Sequence, residues 1–471
     1  MSARQPLTTT PPAPSALPDR DLTRSPDPTR SRDPSLPLRI GKYAVIARLG
    51  DGATSEVYLA EDDFHQRLVA IKRVRSATPG DSIENHYRER FFAAEAALVG
   101  KLQHPNVVKI FDAVADVAQP YLVMEYVPGD TLRRFCQPDT LLPLDQIVEI
   151  GFKCAMALGY VARQGLIHRD VKPANILATL TNDLVTDIKI SDFGSVFDHT
   201  SDRTQVFRVG SLAYMSPEQL DGATLDTRAD MYSLAAVLFH LVAGRPPFDA
   251  PNQVALMNQI YNAPAPTLLG LREGVPPRLD ALLRRTLSKQ PGDRPASWDA
   301  FAADWSQLVS QGEVTMGRLQ DVLDSERFNL LRSLDFFGGF GDVELWEVVR
   351  RAQWLRHKHG AALYRKGEAG CTFHIIAQGR VEVYRDSQRV AQLGAGTSVG
   401  EMAYLAPSPD LRLHSADVIV SSPATTITFT PETLALLSPA TRHRFDTAFI
   451  GVLVRRLHSA HEALAHPRRI L

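Results

Sequence analysis

Between residues 40 and 72, apolar and polar positions alternate in short runs: Tyr43-Ala-Val-Ile-Ala-Arg-Leu, Glu56-Val-Tyr-Leu-Ala and Leu68-Val-Ala-Ile-Lys. Glycines and an Asp-Asp pair separate them, and a period of two with turn residues between runs predicts strands. The period lengthens to that of a helix over Glu84–Leu102 and dominates again from Leu144 onward, including 151–164, 230–243 and 278–289. A small β-rich lobe followed by a larger α-rich lobe is implied. A further helical stretch over about 305–333 leads to a second block, where strands return: Ala361-Ala-Leu-Tyr-Arg, Thr372-Phe-His-Ile-Ile-Ala, Arg380-Val-Glu-Val-Tyr, Val418-Ile-Val and Thr425-Thr-Ile-Thr-Phe. Gly367, Gly379, Gly394, Gly396 and Gly400 punctuate these runs, a spacing that suggests a jelly-roll barrel. Helices are predicted on both sides of it, Val343–Trp354 and Thr441–Leu464. The stripe Phe445, Phe449, Val452, Leu453, Leu457 in the second helix fits packing against the barrel or, alternatively, a dimer seam or a ligand lid.

Composition limits what such a chain does. Its 471 residues exceed what one core usually serves, so two folded domains are expected. Lys and Arg number 52 against 53 acidic residues, a net charge of −1 that supplies no overall basic footprint for nucleic acid or an anionic membrane. Three scattered cysteines, Cys136, Cys154 and Cys371, make neither a disulfide framework nor a zinc pattern, which suits a reducing cytoplasm. The longest apolar run, Leu234 to Gly244, is about half of the ~20 residues a membrane helix needs. Residues 1–38 are rich in Pro, Ser, Thr and Arg and are expected to be a disordered tail without a signal-peptide core. The expected organisation is that tail, a first domain over 39–305, a helical linker over 306–332, a second domain over 333–464 and a short tail over 465–471.

The chemistry lies in a series of short motifs. Leu49-Gly50-Asp51-Gly52-Ala53-Thr54-Ser55-Glu56-Val57 sits between two strand patterns, where glycines let backbone N–H groups approach phosphates. Val69-Ala70-Ile71-Lys72 ends an apolar strand with a cation. His168-Arg169-Asp170-Val171-Lys172-Pro173-Ala174-Asn175 and Asp192-Phe193-Gly194 follow, placing two carboxylates and an amide where they can hold Mg²⁺ and orient a hydroxyl. Each motif is weak alone; their order and separations together are specific.

Over roughly 41–305 these motifs resemble the eukaryotic-type protein kinase family, which implies a two-lobed α+β kinase fold using ATP and Mg²⁺. On that resemblance, Gly50 and Gly52 cover the phosphates and Lys72 contacts them. Glu95 is the best match for the helix glutamate that pairs with Lys72, ahead of Glu84 and Glu89. Asp170 receives or aligns the substrate hydroxyl proton, Lys172 neutralises the transferring phosphoryl, and Asn175 and Asp192 hold the metal. Leu49, Val57, Ala70 and Leu177 sandwich the base, Met124 is the gatekeeper, and Glu125 and Val127 belong to the strand and hinge that meet adenine. Met215-Ser216-Pro217-Glu218, Asp230 and Arg294 match structural positions of the family. Two departures stand out: Ser55 replaces the third loop glycine, and the 17 residues from Asn175 to Asp192 imply an enlarged turn over Thr179–Asp187. Lys172 and Gly210-Ser211 resemble the serine/threonine pattern. Arg169 before Asp170 marks, in the family, control by activation-loop phosphorylation, here at Thr200, Ser201 or Thr204. The alternative is a pseudokinase scaffold that binds nucleotide without turnover.

Residues 333–464 resemble the cyclic-nucleotide-binding domain family through Gly367-Glu368, Phe373-His-Ile-Ile-Ala-Gln-Gly379-Arg-Val-Glu-Val and Gly400-Glu401-Met402-Ala403. That resemblance implies that Gly400 and neighbouring N–H groups bind a cyclic phosphate, as in cAMP or cGMP, and that Glu401 takes the ribose hydroxyl. Where the family has a phosphate-binding arginine, this chain has His414, with Arg412 two residues earlier on the same strand face. The alternative is a ligand-free interaction module. His357-Lys-His359 and His461 with His466 lack zinc spacing and are expected to be solvated. Protein substrates bearing Ser or Thr, a second copy of the chain and a cyclic nucleotide are the partners implied.

Overall fold

The computed structural model describes residues 36–51, 55–75, 89–90, 92–115, 119–181, 184–193, 212–313 and 323–465. The small lobe is an antiparallel sheet of β1 (Arg39–Ile40), β2 (Tyr43–Asp51), β3 (Ser55–Asp62), β4 (Arg67–Val74), β5 (Ile110–Val114) and β6 (Tyr121–Glu125), in the order β1-β2-β3-β4-β6-β5. Alternation carries one apolar face inward: Tyr43, Val45, Tyr58, Ala60, Val69, Ile71, Tyr121 and Val123 form a core of their own. Helix α1 (helical at 89–90 and 92–96) lies between β4 and β5 in the chain.

The large lobe is built on α2 (Leu144–Arg163), which is buried nearly all round. Gly151 and Gly159 let α7 (Trp298–Ser310) approach it, since a Cβ there would strike the Trp305 ring at 2.7 Å and the Trp298 Cβ at 2.9 Å. Around them stand α3 (Pro217–Leu220), α4 (Arg228–Ala243), α5 (Gln253–Asn262) and α6 (Pro277–Thr286). Their ends carry local signals: the Asn252 and Ser297 side chains accept from the N–H groups of Ala255 and Ala300, and Gly244 closes α4 in the left-handed conformation.

A three-stranded sheet, β7 (Gly129–Thr131), β8 (Ile176–Thr181) and β9 (Leu184–Ile190), floors the cleft. The expected enlarged turn over Thr179–Asp187 is instead a longer hairpin, with Thr181 paired to Leu184. The run of Thr, Leu, Val and Ile in these residues favours strand, so the extra length extends the ladder.

Next come α8 (Asp324–Ser333) and α9 (Asp342–Arg351). The predicted helix over Val343–Trp354 stops early, because Trp354 lies in β10 (Gln353–His357), paired with Ile427. The second β unit comprises β10, β11 (Ala362–Tyr364), β12 (Phe373–Arg385), β13 (Gln388–Gly394), β14 (Ser398–Val399) and β15 (Asp417–Phe429). Its antiparallel order is β10-β15-β12-β13, with β11 on β15 and β14 on β12, and the two runs Val418-Ile-Val and Thr425–Phe429 are one strand. Short α10 (Glu401–Leu405) and α11 (Pro431–Ala435) precede the long α12 (Pro439–Ala465). Phe445 and Phe449 of α12 pack on Phe336, Phe373 and Phe429, whereas Ile450, Val454 and Leu457 are exposed. Among the described residues no helix is long and apolar enough to cross a membrane.

Besides the small-lobe core, the second β unit has a cluster of its own around Tyr364, Ile376, Val381 and Val420, and a third, larger cluster joins the large lobe to the second unit. This continuous apolar cluster runs from Leu98 and Val107 through α2 and α4 to Phe328, Trp346 and Phe449. Phe152 of α2 contacts Phe328 of α8 at 6.1 Å and Trp346 of α9 at 6.2 Å between ring centroids.

Candidate active site

Lys72 projects from β4 toward the interior, where a cation needs partners. Its Nζ donates to both Glu95 carboxylate oxygens at 2.8 and 2.9 Å and to Asp192 Oδ1 at 2.5 Å. Burial works against the Lys72 charge, but the carboxylates of Asp192 and Glu95 outweigh it and hold its pKa above the ordinary lysine value. Desolvation works against the Asp192 charge too, yet Lys72 keeps its carboxyl below the usual range. Glu84 lies outside the described residues and Glu89 makes no bond to Lys72, so Glu95 is the partner observed.

The loop between α2 and β8 carries the second group. Lys172 Nζ donates to Asp170 Oδ2 at 2.7 Å, and the Asn175 amide donates to the Asp170 carbonyl and Oδ2 at 2.8 and 3.0 Å. The loop is braced from below: Asp230 of α4 accepts from the His168 and Arg169 N–H groups at 2.7 and 2.8 Å. Arg169 and Asp192 both have φ of 65°, a left-handed conformation that costs free energy without glycine and persists because bonds around it fix it. His168 packs on Phe193 at 4.7 Å and its Nε2 meets the Ser191 carbonyl at 3.0 Å. Since His168 Nδ1 accepts from the Asp170 N–H at 3.3 Å, Nε2 carries the proton. Arg294 closes the ion pair to Glu218 at 2.6 and 2.9 Å.

The remaining positions line the cleft between sheets. Val57 stands opposite Lys72, Gly50 opposite Val57, and Ala70 opposite Met124. Leu49, Met124, Val127 and Leu177 are half-buried. Glu125 turns its side chain to Lys189 at 3.1 Å, and its N–H is spent on the Lys109 carbonyl, so only other backbone atoms of that residue are left for a ligand. Gly52 and Gly194 lie outside the described residues, as do Gly210, Ser211 and the candidate phosphorylation sites Thr200, Ser201 and Thr204.

The second candidate site is the Gly400–Glu401 turn. Gly400 has φ of 86°, and a Cβ there would meet the Tyr364 hydroxyl at 2.3 Å. Glu401 is buried, and it is Arg456 of α12 that bonds its Oε1; the same guanidinium donates to the Ser398 carbonyl at 2.8 Å. His414 lies flat on Tyr364 at 3.9 Å and is buried, and desolvation lowers its pKa, so it is a neutral packing residue. Arg412 and Met402 are exposed, and neither joins Glu401. Sequence patterning does not single out Arg456; its only signal is its place one helical turn beyond Val452 and two beyond Phe449 on the same helix. His357 is half-buried and bonds Thr426 at 2.9 Å, so it is not solvated as expected.

The contacts of α8 and α9 with the large lobe also escaped sequence reasoning. Lys153 of α2 donates to Asp324 at 2.9 Å, Ser325 donates to Glu149 at 2.6 Å, and Arg350 pairs with Asp187 at 2.8 Å. The signal was a lysine and a glutamate set into an otherwise apolar helix.

Comparison with known proteins agrees with this geometry. The chain matches the family model for the protein kinase domain over residues 43–306 and that for the cyclic nucleotide-binding domain over 354–437. The serine/threonine-protein kinase PknB of Mycobacterium leprae is 38% identical over 278 residues, 57% of this chain and 43% of that protein. A probable serine/threonine-protein kinase PknB of Lactococcus lactis is 33% identical over 283 residues, 58% and 44% of the two chains. PknL of Mycobacterium tuberculosis, also a serine/threonine-protein kinase, is 33% identical over 288 residues, 60% and 69%. The chain spans less than half the length of the first two.

Proposed function

The chain belongs to the protein kinase family, and from that premise we propose that it transfers the γ-phosphate of ATP to serine or threonine hydroxyls of proteins. The observation that carries this is the joint placement of Lys72, Glu95 and Asp192 in one ion-paired group beside Asp170, Lys172 and Asn175. In a pseudokinase scaffold there is no need to keep all six.

The residues fit the nucleotide and metal. Asn175 spends its N–H on Asp170, and its amide oxygen with the Asp192 carboxylate is the oxygen donor set that Mg²⁺ prefers. A Cβ at Gly50 would meet no atom of the described residues within 4 Å, which leaves room beside it for phosphate. Mg²⁺ and ATP supply the charge neutralisation and the phosphoryl group. Lys72 orients phosphates, Asp170 aligns the hydroxyl and takes its proton, and Lys172, already on Asp170, offsets the charge developing between them. Leu49, Val57, Ala70 and Leu177 enclose the base, with Met124 and Val127 at its edge. Incubating the full chain with MgATP and Ser-, Thr- or Tyr-containing peptides tests this: Mg²⁺-dependent phosphoserine or phosphothreonine supports it, and nucleotide binding without transfer sinks it. Mass spectrometry of the same reaction tests autophosphorylation at Thr200, Ser201 or Thr204, which an unmodified loop in an active enzyme would exclude.

The second unit is proposed to regulate the first, supported by the continuous core between them. A cyclic nucleotide, cAMP or cGMP, is the ligand chemistry its Gly400–Glu401 turn resembles. Such a ligand reaches Glu401 only by displacing Arg456. A homodimer would use the exposed Ile450, Val454 and Leu457, and sedimentation at rising concentration decides that.

A further inference from the structure

Lys72 is held by two arms. One is α1, bearing Glu95, which runs into the corner ahead of β5. The other is β9, which leads through Ser191 to Asp192. The arms meet at their roots: the Asn106 amide donates to the Ile188 carbonyl at 2.7 Å and to Asp187 at 2.9 Å, and Asn106 accepts from the Ile190 N–H at 2.8 Å.

The second unit grips this junction. Trp346 of α9 meets His104 of the corner edge-on at 6.4 Å, and one turn further along α9 Arg350 pairs with Asp187 at 2.8 and 3.0 Å. Lys153 also faces Asp187, but at 3.6 Å, and its shorter bond goes to Asp324, so Arg350 is the nearer cation. The junction thus needs a residue more than 150 positions away in sequence. The lengthened β8–β9 hairpin brings Asp187 out to that residue.

We propose that Arg350 is a positioning residue for the kinase site: through Asp187 it locks the corner to β9 and so sets Glu95 and Asp192 together on Lys72. The second unit is then a brace on which phosphoryl transfer depends, not a brake. This deepens the proposed kinase activity and rests on it. Arg350 suits a test because its side chain is 28% exposed, so its removal opens no core cavity.

The experiment compares full-length wild type, Arg350→Met, Arg350→Lys and Asp187→Asn with a peptide substrate and MgATP. Arg350→Met and Asp187→Asn are expected to lower kcat about fivefold with peptide KM unchanged within about twofold, while Arg350→Lys restores most of kcat. A kcat for Arg350→Met at or above wild type, or no rescue by lysine, overturns the proposal. Amide hydrogen exchange gives a readout free of turnover, so that an inactive wild type condemns the kinase reading alone. Exchange over residues 95–110 and 184–193 is expected to quicken in Arg350→Met, and unchanged exchange there also overturns the proposal.

Discussion

Each unit of the molecule holds one buried glutamate in an ion pair, and the two pairs differ in what surrounds them. Glu95 meets Lys72 from a neighbouring strand, and the pair shares its lysine with Asp192, whose side chain is 42% exposed. Glu401 meets Arg456 from a helix laid across it, and its carboxylate has no exposure to speak of. The first pair is a support with working groups facing a cleft; the second ties a turn to α12 through Glu401 Oε1 alone, leaving the buried Oε2 without a partner among the described residues. In the first group the exposed member is a carboxylate, Asp192; in the second it is the cation, Arg456, whose side chain is 42% exposed.

The largest expected effect comes from breaking the first pair. Lys72→Met removes the charge that gathers Glu95 and Asp192, and it is expected to cut kcat/KM by about 10²–10³, read by peptide phosphorylation. Trp346→Ala, between the units, is expected to cost about 3–5 kcal/mol. Because the core is continuous, urea unfolding followed by probes in both units should shift together; independent transitions would separate them. Breaking the second pair by Arg456→Met should expose Glu401 and tighten cAMP or cGMP binding by about tenfold, roughly 1.4 kcal/mol. Calorimetry that finds equal or weaker binding would mean Arg456 is no lock.

A further effect is a pH dependence of stability. His374 is buried against Thr428 at 2.7 Å, and desolvation, then His357 and His414, lower its pKa to about 4. In the unfolded chain it titrates near its ordinary 6.5. Below that value the unfolded state binds a proton the folded state refuses, so stability falls with pH through the window from 6.5 to about 4. The loss between pH 7 and pH 5 is on the order of 2 kcal/mol, and His374→Gln should flatten it in a denaturation series.

Much of the kinase site was legible because its chemistry is written in contiguous motifs. Lys72, Asp170, Asn175 and Asp192 each sit at a fixed place in a short pattern, and the family resemblance, through the distance to His104-Pro105-Asn106, favours Glu95 over Glu84 and Glu89. The β8–β9 insertion reads as a turn in the sequence because its length is visible there while its pairing is not; strand propensity in Thr179–Ile188 makes it a hairpin. Trp354 reads as helix because the helical pattern before it runs to Arg351, three residues away. Arg350–Asp187, Lys153–Asp324 and Arg456–Glu401 link residues 55 to 171 positions apart, and no local pattern marks such pairs. His414 stood in the arginine's place by alignment, but stacking on Tyr364 gives it a packing role.

The most direct test of the account is the single-turnover rate of phosphoryl transfer by full-length protein and its Asp170→Asn variant, each saturated with MgATP. Asp170 accepts from both Lys172 and Asn175, so the variant should keep its fold and nucleotide affinity while transfer slows by about 10²–10⁴. Transfer at the wild-type rate would contradict the assignment of this site.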